Sequence, residues 1–343
     1  MSYRTIAIGI LVAAIVGWLI VFPMVESYFK QFEERPTTFK VEELTAFEIL
    51  RIRSAKLAVF AIVAYLGACL GSFINVVARS APRRESVILR NSSCPTCMTP
   101  IRRIDNFPII SFLVLKGRCR DCSQPIGIRY LTVELVAMAI ISILFLFELV
   151  TGAANVPGSR HYHYVGIVWI LLYTKWPVVG LFLFHTMVYT FLLLLALVEL
   201  DRQRLPKHVS ALMLLVAACL VIAIPTLRPI TFDDQLPIFV SKSLPVWAEK
   251  IITCLVGGLF GWLAGFLLGK VRSEAPSVLA LVLLGISLGW QATITIAVLW
   301  LATSLGADLL KRRVNLDWLG PTSLLLGVAL LHHPLWNRLA VLW

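Results

Sequence analysis

Residues 176–198 read WPVVGLFLFHTMVYTFLLLLALV, an apolar run in which His185 is the one ionisable residue of note. A helix needs about 20 mainly apolar residues to cross the hydrocarbon core of a bilayer. This run therefore predicts a transmembrane helix. Other apolar runs of this kind lie near residues 5–25, 56–78, 131–151, 208–226, 251–269, 277–291, 292–310 and 320–341. We predict an all-α polytopic membrane protein with about nine transmembrane helices.

The composition of the whole chain agrees with residence in a lipid bilayer. Hydrophobic residues make up 59% of the 343 residues and charged residues only 15%, and the mean hydropathy is +0.85. A soluble domain carries about 25% charged residues and no repeated long apolar runs. The composition thus excludes a soluble globular enzyme, a disordered protein and a compact secreted disulfide module.

The net charge of +12 indicates orientation rather than a nucleic-acid partner. Segment 79–130 holds ten Lys or Arg residues against three acidic ones, which places it on the cytoplasmic side by the positive-inside rule. Counting crossings puts three further basic loops on that side: 199–207, 270–276 and 311–319. The loops predicted outside are charge-balanced or weakly basic: 26–55, 152–175 and 227–250. The first span resembles a signal peptide, but its length and the lack of a small-x-small cleavage site favour an uncleaved anchor.

Four of the seven cysteines form two C-x-x-C pairs, Cys94/Cys97 and Cys119/Cys122, separated by 21 residues. Two such pairs at this separation predict a single tetrahedral zinc site. Disulfides or free thiols are the alternative, and a reducing cytoplasmic loop disfavours stable disulfides. Because four thiolates leave no open position on the metal, the expected role is structural. The zinc would fold a loop too small to be held together by burial.

A series of motifs surrounds these cysteines. Residues 71–77 read GSFINVV, and after them come Arg79, Pro82-Arg83, the two cysteine pairs, Asp105-Asn106, Arg129-Tyr130 and Glu134. This order resembles the N-terminal domain of the bacterial type IV prepilin peptidases, the leader peptidase and N-methyltransferase family. The resemblance covers about 65 residues, 71–135.

The resemblance implies an aspartic protease of the bacterial inner membrane, which cuts the short basic leader from prepilins and pseudopilins at the cytoplasmic face. Many members then methylate the new N-terminal amine with S-adenosylmethionine. For this chain it implies three regions. They are an extra anchor and outer polar segment (1–55), a peptidase-type N-terminal domain with the zinc loop (56–135), and a helical membrane domain with degenerate motifs (136–343).

The chain departs from the family at the catalytic aspartates. The family's first aspartate lies seven residues before a proline, where this chain has Glu199 before Pro206. Asp201 occupies the place of a second acid that is common in the family. The position of the family's second catalytic aspartate is occupied by Ser277 in this chain, and serine cannot act as half of an acid dyad. Asp308, in the sequence GADLLK, is a rival for that role.

These replacements leave several functions open. Either the protein is an active peptidase that uses an unusual acid pair, such as Glu199 with Asp201, Glu274 or Asp308, or its peptidase half is degenerate. An impaired homologue would act as a zinc-containing membrane scaffold or pilin-binding assembly factor. A transporter is disfavoured, since intramembrane acids are few and no pair of broken-helix repeats is evident.

Three further features have no assigned chemistry. Glu134 lies just inside an apolar span, where a carboxylate needs a partner. Arg129 or Arg79 is the candidate partner. Alternatively, Glu134 is an acid at a helix start that interacts with the positive end of the helix dipole. His161 and His163 are expected in a solvated outer loop. His332 and His333, near the C-terminus, are expected at the membrane interface.

Overall fold

The computed structural model describes residues 46–86, 93–94, 96–159, 170, 173–227, 245–311 and 320–340. Two compact units divide the chain, Met1–Ile62 and Val63–Trp343. The span expected at 5–25 and the histidines at 161 and 163 lie outside the described residues. All sites discussed below belong to the second unit.

The described residues are almost entirely helical, which confirms the predicted all-α class. The α-helices are α1 (Ala46–Ser80), α2 (Ile110–Val114), α3 (Ile128–Leu144), α4 (Trp176–Leu200), α5 (Lys207–Ala223), α6 (Val246–Val271), α7 (Val278–Leu288), α8 (Trp290–Lys311) and α9 (Pro321–Leu339). Helix α3 continues as a π-helical segment, Phe145–Val150. Short 3₁₀ turns cover Ala81–Arg83, Arg103–Asp105 and Pro225–Leu227. Among the described residues, β-structure is limited to two isolated bridges, Ser93 with Pro100 and Arg118 with Pro125.

Five of the described helices are long and apolar enough to cross a membrane: α1, α3 with its π-helical segment, α4, α6 and α8. Helix α5 has 17 residues and α7 only 11. At about 1.5 Å per residue, 11 residues extend about 16 Å, half the thickness of a bilayer core. The short span predicted over 277–291 is therefore replaced by a still shorter helix packed against its neighbours.

Helix α4 lies at the centre of the membrane domain. Its residues 192–198 are all buried in succession, which happens only when neighbours cover a helix on every side. This apolar helix thus forms the core, and its C-terminal end carries Glu199.

Glycines allow two pairs of helices to approach to backbone contact. A Cβ on Gly261 of α6 would lie 2.2 Å from the Leu281 carbonyl of α7, and one on Gly257 would lie 2.0 Å from the Gly285 carbonyl. On α1, a Cβ at Gly71 would lie 2.8 Å from the Glu134 Cα of α3. Small residues at these positions give close van der Waals packing in place of a hydrophobic driving force, which lipid does not provide. The contacts fix the starts of α7 and α3, where the site residues lie.

Candidate metal centre and acid site

The two cysteine pairs lie on two turns of the same shape. In each turn the N–H of the first cysteine donates to the carbonyl five residues later, over 3.0 Å for Cys94 and 2.8 Å for Cys119. The carbonyl of that cysteine accepts from the N–H four residues later, over 2.9 Å and 3.0 Å respectively. The residue after each second cysteine has a positive φ, 58° at Met98 and 57° at Ser123. One local geometry is thus used twice.

The turns bring the sulfur atoms of Cys94, Cys97, Cys119 and Cys122 within 4.8 Å of one another. The Cys94 and Cys122 Sγ atoms are 3.8 Å apart. This distance is far too long for a disulfide of about 2 Å. It equals the separation of about 3.8 Å that Zn–S bonds of about 2.3 Å give in a tetrahedron. The donor set fits a closed structural zinc site.

The protonation of these thiols also favours a bound cation. Hydrogen bonds from the backbone amides of Cys97 and Thr96 lower the pKa of Cys94 to about 6. At Cys122 the Gln124 amide acts in the same direction, but burial and the neighbouring sulfurs outweigh it and raise the pKa to about 12. The two pKa values move in opposite directions because the neighbouring sulfurs interact with one another. A divalent metal supplies positive charge to the four sulfurs and couples its binding to folding of the loop.

An ion pair ties the second turn to the segment between the turns. Arg120 lies between the second pair of cysteines and donates two hydrogen bonds to Asp105, with Nε–Oδ2 at 2.8 Å. The Asp105 side chain is only 7% exposed. The Arg120 guanidinium holds the pKa of this carboxyl below its usual value. A paired carboxylate in this position fixes the orientation of the cysteine turn.

Glu134 anchors the same segment to helix α3. Its Oε2 accepts a hydrogen bond of 2.7 Å from the Ile109 N–H. Ile109 has φ 62° and ψ −53°, and the Ile110 N–H donates to the Pro108 carbonyl over 2.6 Å. These values define a γ-turn, a strained conformation for a β-branched residue. The Glu134 carboxylate therefore holds a strained turn against the helix.

This partner of Glu134 differs from those the sequence suggested. Arg129 forms a bidentate ion pair with Asp201, in which Nη2 donates to Oδ2 over 2.7 Å. Arg79 donates to the Tyr130 hydroxyl over 3.5 Å. A backbone N–H far away in sequence could not have been foreseen from the position of Glu134 in an apolar run.

A cavity of about 370 Å³ lies between the end of α1, the cysteine loop and the start of α3. Its lining includes Ser72 and Asn75 from the GSFINVV motif, Arg79, Asp105 and Glu134. Ligand pockets usually measure about 300–1,000 Å³. The motifs of the N-terminal region thus converge on one space of suitable size for a small molecule.

The two positions assigned to the catalytic aspartates also converge. Glu199, at the end of α4, accepts two hydrogen bonds from Thr322 at the start of α9: the Thr322 N–H donates to Oε1 over 2.9 Å, and the hydroxyl donates to Oε2. The N–H of Ser277, which precedes α7, donates to the Thr322 hydroxyl over 2.9 Å. One fully buried threonine therefore connects Glu199 with Ser277. We refer to Glu199, Ser277 and Thr322 as the acid site.

The two candidate aspartates, Asp201 and Asp308, engage different partners. Asp201 is bound by Arg129 as described above. Asp308, near the end of α8, forms an ion pair with Arg272, which follows α6. An aspartic protease needs two carboxylates close enough for one to remain protonated beside the other. Glu199 meets a hydroxyl in the acid site, while each aspartate faces an arginine.

Comparison with known proteins now bears on these sites. Residues 65–148, which include the cysteine turns, Glu134 and the cavity, match the family model of the Bacterial Peptidase A24 N-terminal domain. This region of the chain is similar to the N-terminal domain of the bacterial prepilin peptidases. The prepilin leader peptidase/N-methyltransferase of Myxococcus xanthus is 45% identical over 78 residues. That match covers 23% of this chain and 23% of the relative's length.

Longer but weaker similarity extends into the membrane domain. The proteins of the same name from Aeromonas salmonicida and Klebsiella pneumoniae are 28% and 29% identical over 262 and 236 residues. These matches cover 68% and 66% of this chain and 74% and 83% of the relatives. No solved structure matches the chain. The similarity to the prepilin peptidases is thus strongest in the N-terminal region, residues 65–148.

Several buried polar residues escaped the sequence reasoning. Thr322 has no signal beyond the Gly320-Pro321 turn that precedes it. Glu148 lies in the apolar run predicted at 131–151, and such an acid is itself an indication of function. His332 and His333, expected at an interface, are buried within the protein with 2% and 0% exposure. That expectation was wrong, because the helix is covered by its neighbours along this face.

Proposed function

We propose that this protein binds type IV prepilin or pseudopilin leaders at the cytoplasmic face of the bacterial inner membrane. The match of residues 65–148 supports this assignment, as do the names of the relatives. The charge of segment 79–130 supports a cytoplasmic cysteine loop. In this proposal structural zinc in the four-cysteine cluster folds the loop that surrounds the cavity.

We further propose that the peptidase half is impaired. One observation carries this conclusion: where a dyad is expected, Glu199 is hydrogen-bonded through both oxygens to Thr322, and the second position is Ser277. A dyad requires one carboxylate as the base for water and a second, protonated, as the acid. The acid site supplies a single carboxylate. The protein would then hold a prepilin without cutting it, as a membrane scaffold or assembly factor.

Membranes containing the protein, mixed with a prepilin from the same organism, test both parts. We expect the uncleaved prepilin to co-purify with the tagged protein, while a version without its leader does not. No co-purification refutes the proposed binding. Leader cleavage by the wild type that vanishes in both Glu199→Ala and Asp308→Ala refutes the proposed impairment and identifies an unusual acid pair.

Restoring the aspartates gives a sharper test. The double variant Glu199→Asp with Ser277→Asp places a carboxylate at each end of the threonine bridge, where two like charges separate their pKa values. We expect leader cleavage to appear in the double variant and in neither single variant. Ser277→Asn serves as the matched control, because asparagine has nearly the same volume as the aspartate of Ser277→Asp but carries no charge.

N-methylation is a second candidate activity, favoured by the cavity beside the cysteine loop. The space of about 370 Å³ contains both acidic and basic side chains, which suit the sulfonium and carboxylate of S-adenosylmethionine. That cofactor would supply an electrophilic methyl group for an amine. Radiolabel passing from S-adenosylmethionine to an already cleaved pilin is the expected result. An absence of transfer excludes this activity while leaving leader binding untouched.

A further inference from the structure

Three ionisable side chains meet in the interior of the membrane domain, away from the sites above. Glu148 belongs to the π-helical segment after α3, His185 to α4 and His333 to α9, and all three residues are 0% exposed. The Glu148 Oε1 atom contacts His185 Nδ1 and lies 2.6 Å from His333 Nε2. We call these residues the Glu-His-His cluster. Its three ligand atoms lie within 4.8 Å of one another.

The local structure holds this cluster in place. π-Helical turns are frequently found at functional sites, and the one that follows α3 carries Glu148. Asn155, just after it, donates from Nδ2 to the His333 carbonyl over 3.1 Å, and accepts from the Asn337 N–H over 2.9 Å. The Tyr189 hydroxyl donates to the Ala329 carbonyl over 2.9 Å. These hydrogen bonds tie both α4 and the turn after the π-helical segment to α9 beside the cluster.

Aromatic rings enclose the cluster and exclude water. The ring of His185 lies 4.9 Å from that of His333, edge to face, and 5.9 Å from Trp336. Tyr189 and His333 are 5.4 Å apart between ring centres. In such surroundings a carboxylate without a cation is costly. The imidazoles, if neutral, supply hydrogen bonds but no positive charge.

The hydrogen bonds within the cluster leave polar atoms unsatisfied. Among the described residues, Glu148 Oε2, His185 Nε2 and His333 Nδ1 are buried and have no hydrogen-bond partner. A buried polar atom of this kind destabilises the folded state when it is left without a partner. These are the second polar atoms of the three side chains; the atoms that face one another, and that a metal ion could bind, are Glu148 Oε1, His185 Nδ1 and His333 Nε2.

We propose that Glu148, His185 and His333 bind a divalent transition metal of the zinc type. Two imidazoles and one carboxylate form a donor set that zinc prefers, with a fourth position left open. The metal charge compensates the buried carboxylate. Zn–N and Zn–O bonds of about 2.0–2.1 Å separate tetrahedral ligands by about 3.3 Å. The Glu148 and His333 side chains reach that spacing by moving apart by about 0.7 Å.

This metal site would act on the acid site through two shared helices. His185 and Glu199 lie on α4, about 20 Å apart along its axis at 1.5 Å per residue. His333 and Thr322 lie on α9, and the Thr322 hydroxyl donates to Glu199. A metal that joins α4 and α9 at one end therefore fixes their register at the other.

Metal content of the purified full-length protein in detergent micelles, measured by mass spectrometry, tests the proposal. Glu148→Gln and His185→Gln should each contain one metal ion fewer per chain than the wild type. His332→Gln serves as the matched control, since His332 is equally buried but outside the cluster. An unchanged metal content in Glu148→Gln overturns the proposal and leaves a cluster that shares protons only.

Cobalt substitution keeps the test decisive if a variant folds poorly. Wild-type protein loaded with Co²⁺ should show two spectral components, thiolate-to-metal charge transfer from the cysteines and weak d–d bands from nitrogen and oxygen ligands. The double variant Cys97→Ser with Cys122→Ser should remove the first component and spare the second. A wild-type spectrum that contains only the thiolate component contradicts the proposal, independently of whether the protein binds prepilin.

Discussion

The hydrogen bond from the Ile109 N–H to Glu134 gives a prediction that can be quantified. Glu134 is buried with 8% exposure, and its carboxylate is 2.7 Å from an amide held at positive φ. A hydrogen bond to a charged group contributes about 1.5–3 kcal/mol. Since about 1.4 kcal/mol corresponds to a tenfold change in equilibrium, Glu134→Ala should raise local opening at Ile109 by about 10- to 150-fold.

Hydrogen exchange of the purified protein, followed by mass spectrometry on peptides covering 105–117, measures this opening. The Ile109 amide should exchange about 10- to 150-fold faster in Glu134→Ala. Glu134→Gln has the same size and a neutral acceptor, so it should keep about 0.5–1.5 kcal/mol of the interaction and exchange at an intermediate rate. Asp121→Asn is the control, because its pair with Arg102 is long, at 3.4 Å, and largely exposed.

The strain at Ile109 allows an opposite perturbation. An L-residue at positive φ costs about 1–2 kcal/mol, which glycine avoids. Ile109→Gly should therefore slow local opening of the turn and partly rescue Glu134→Ala. Exchange of the Ile109 amide that differs less than twofold between wild type and Glu134→Ala would refute the reasoning. It would mean that the turn is held by its own loop and not by α3.

Three further predictions concern the metal loop and the helix contacts. Asp105→Asn should speed release of zinc to a chelator several-fold, because the cysteine turn loses its bidentate ion pair. Arg120 holds the Asp105 pKa below 3.8, so the stability from this pair is complete above that pH and lost below it. Wild type and Asp105→Asn should thus differ by a constant factor between about pH 5 and 8; a difference that disappears within that range contradicts the assignment. Gly261→Ala should lower the free energy of unfolding by about 1–3 kcal/mol. Gly269→Ala is the control and should not lower it, because a Cβ at that position has no atom within 4 Å. Thermal unfolding of the two variants measures the difference. Thr322→Val should cost about 1–3 kcal/mol because Glu199 Oε2 loses its hydroxyl donor while the backbone N–H of residue 322 still donates to Oε1. Thr322→Ser should restore most of that loss in the same measurement.

The helices and the cysteine turns were accessible from the sequence because their signals are local. An apolar run such as 176–198 must become a helix in lipid, since each backbone N–H needs a partner within the segment. A C-x-x-C pair likewise closes its turn within a few residues, so Cys94 and Cys97 could be paired by spacing alone. The sequence predicted a short span over 277–291, and α7 is shorter still, with 11 residues, because the apolar run continues directly into α8.

The sequence by itself determined the all-α membrane class, the cysteine cluster and the relationship to the prepilin peptidases. Only the tertiary structure decided what each buried polar group contacts. Glu199 meets Ser277 through Thr322, and Glu148 meets His185 and His333, across separations of up to 185 residues along the chain. The physical reason is that a helix register fixes which face a residue occupies, while the packing of several helices decides which faces meet.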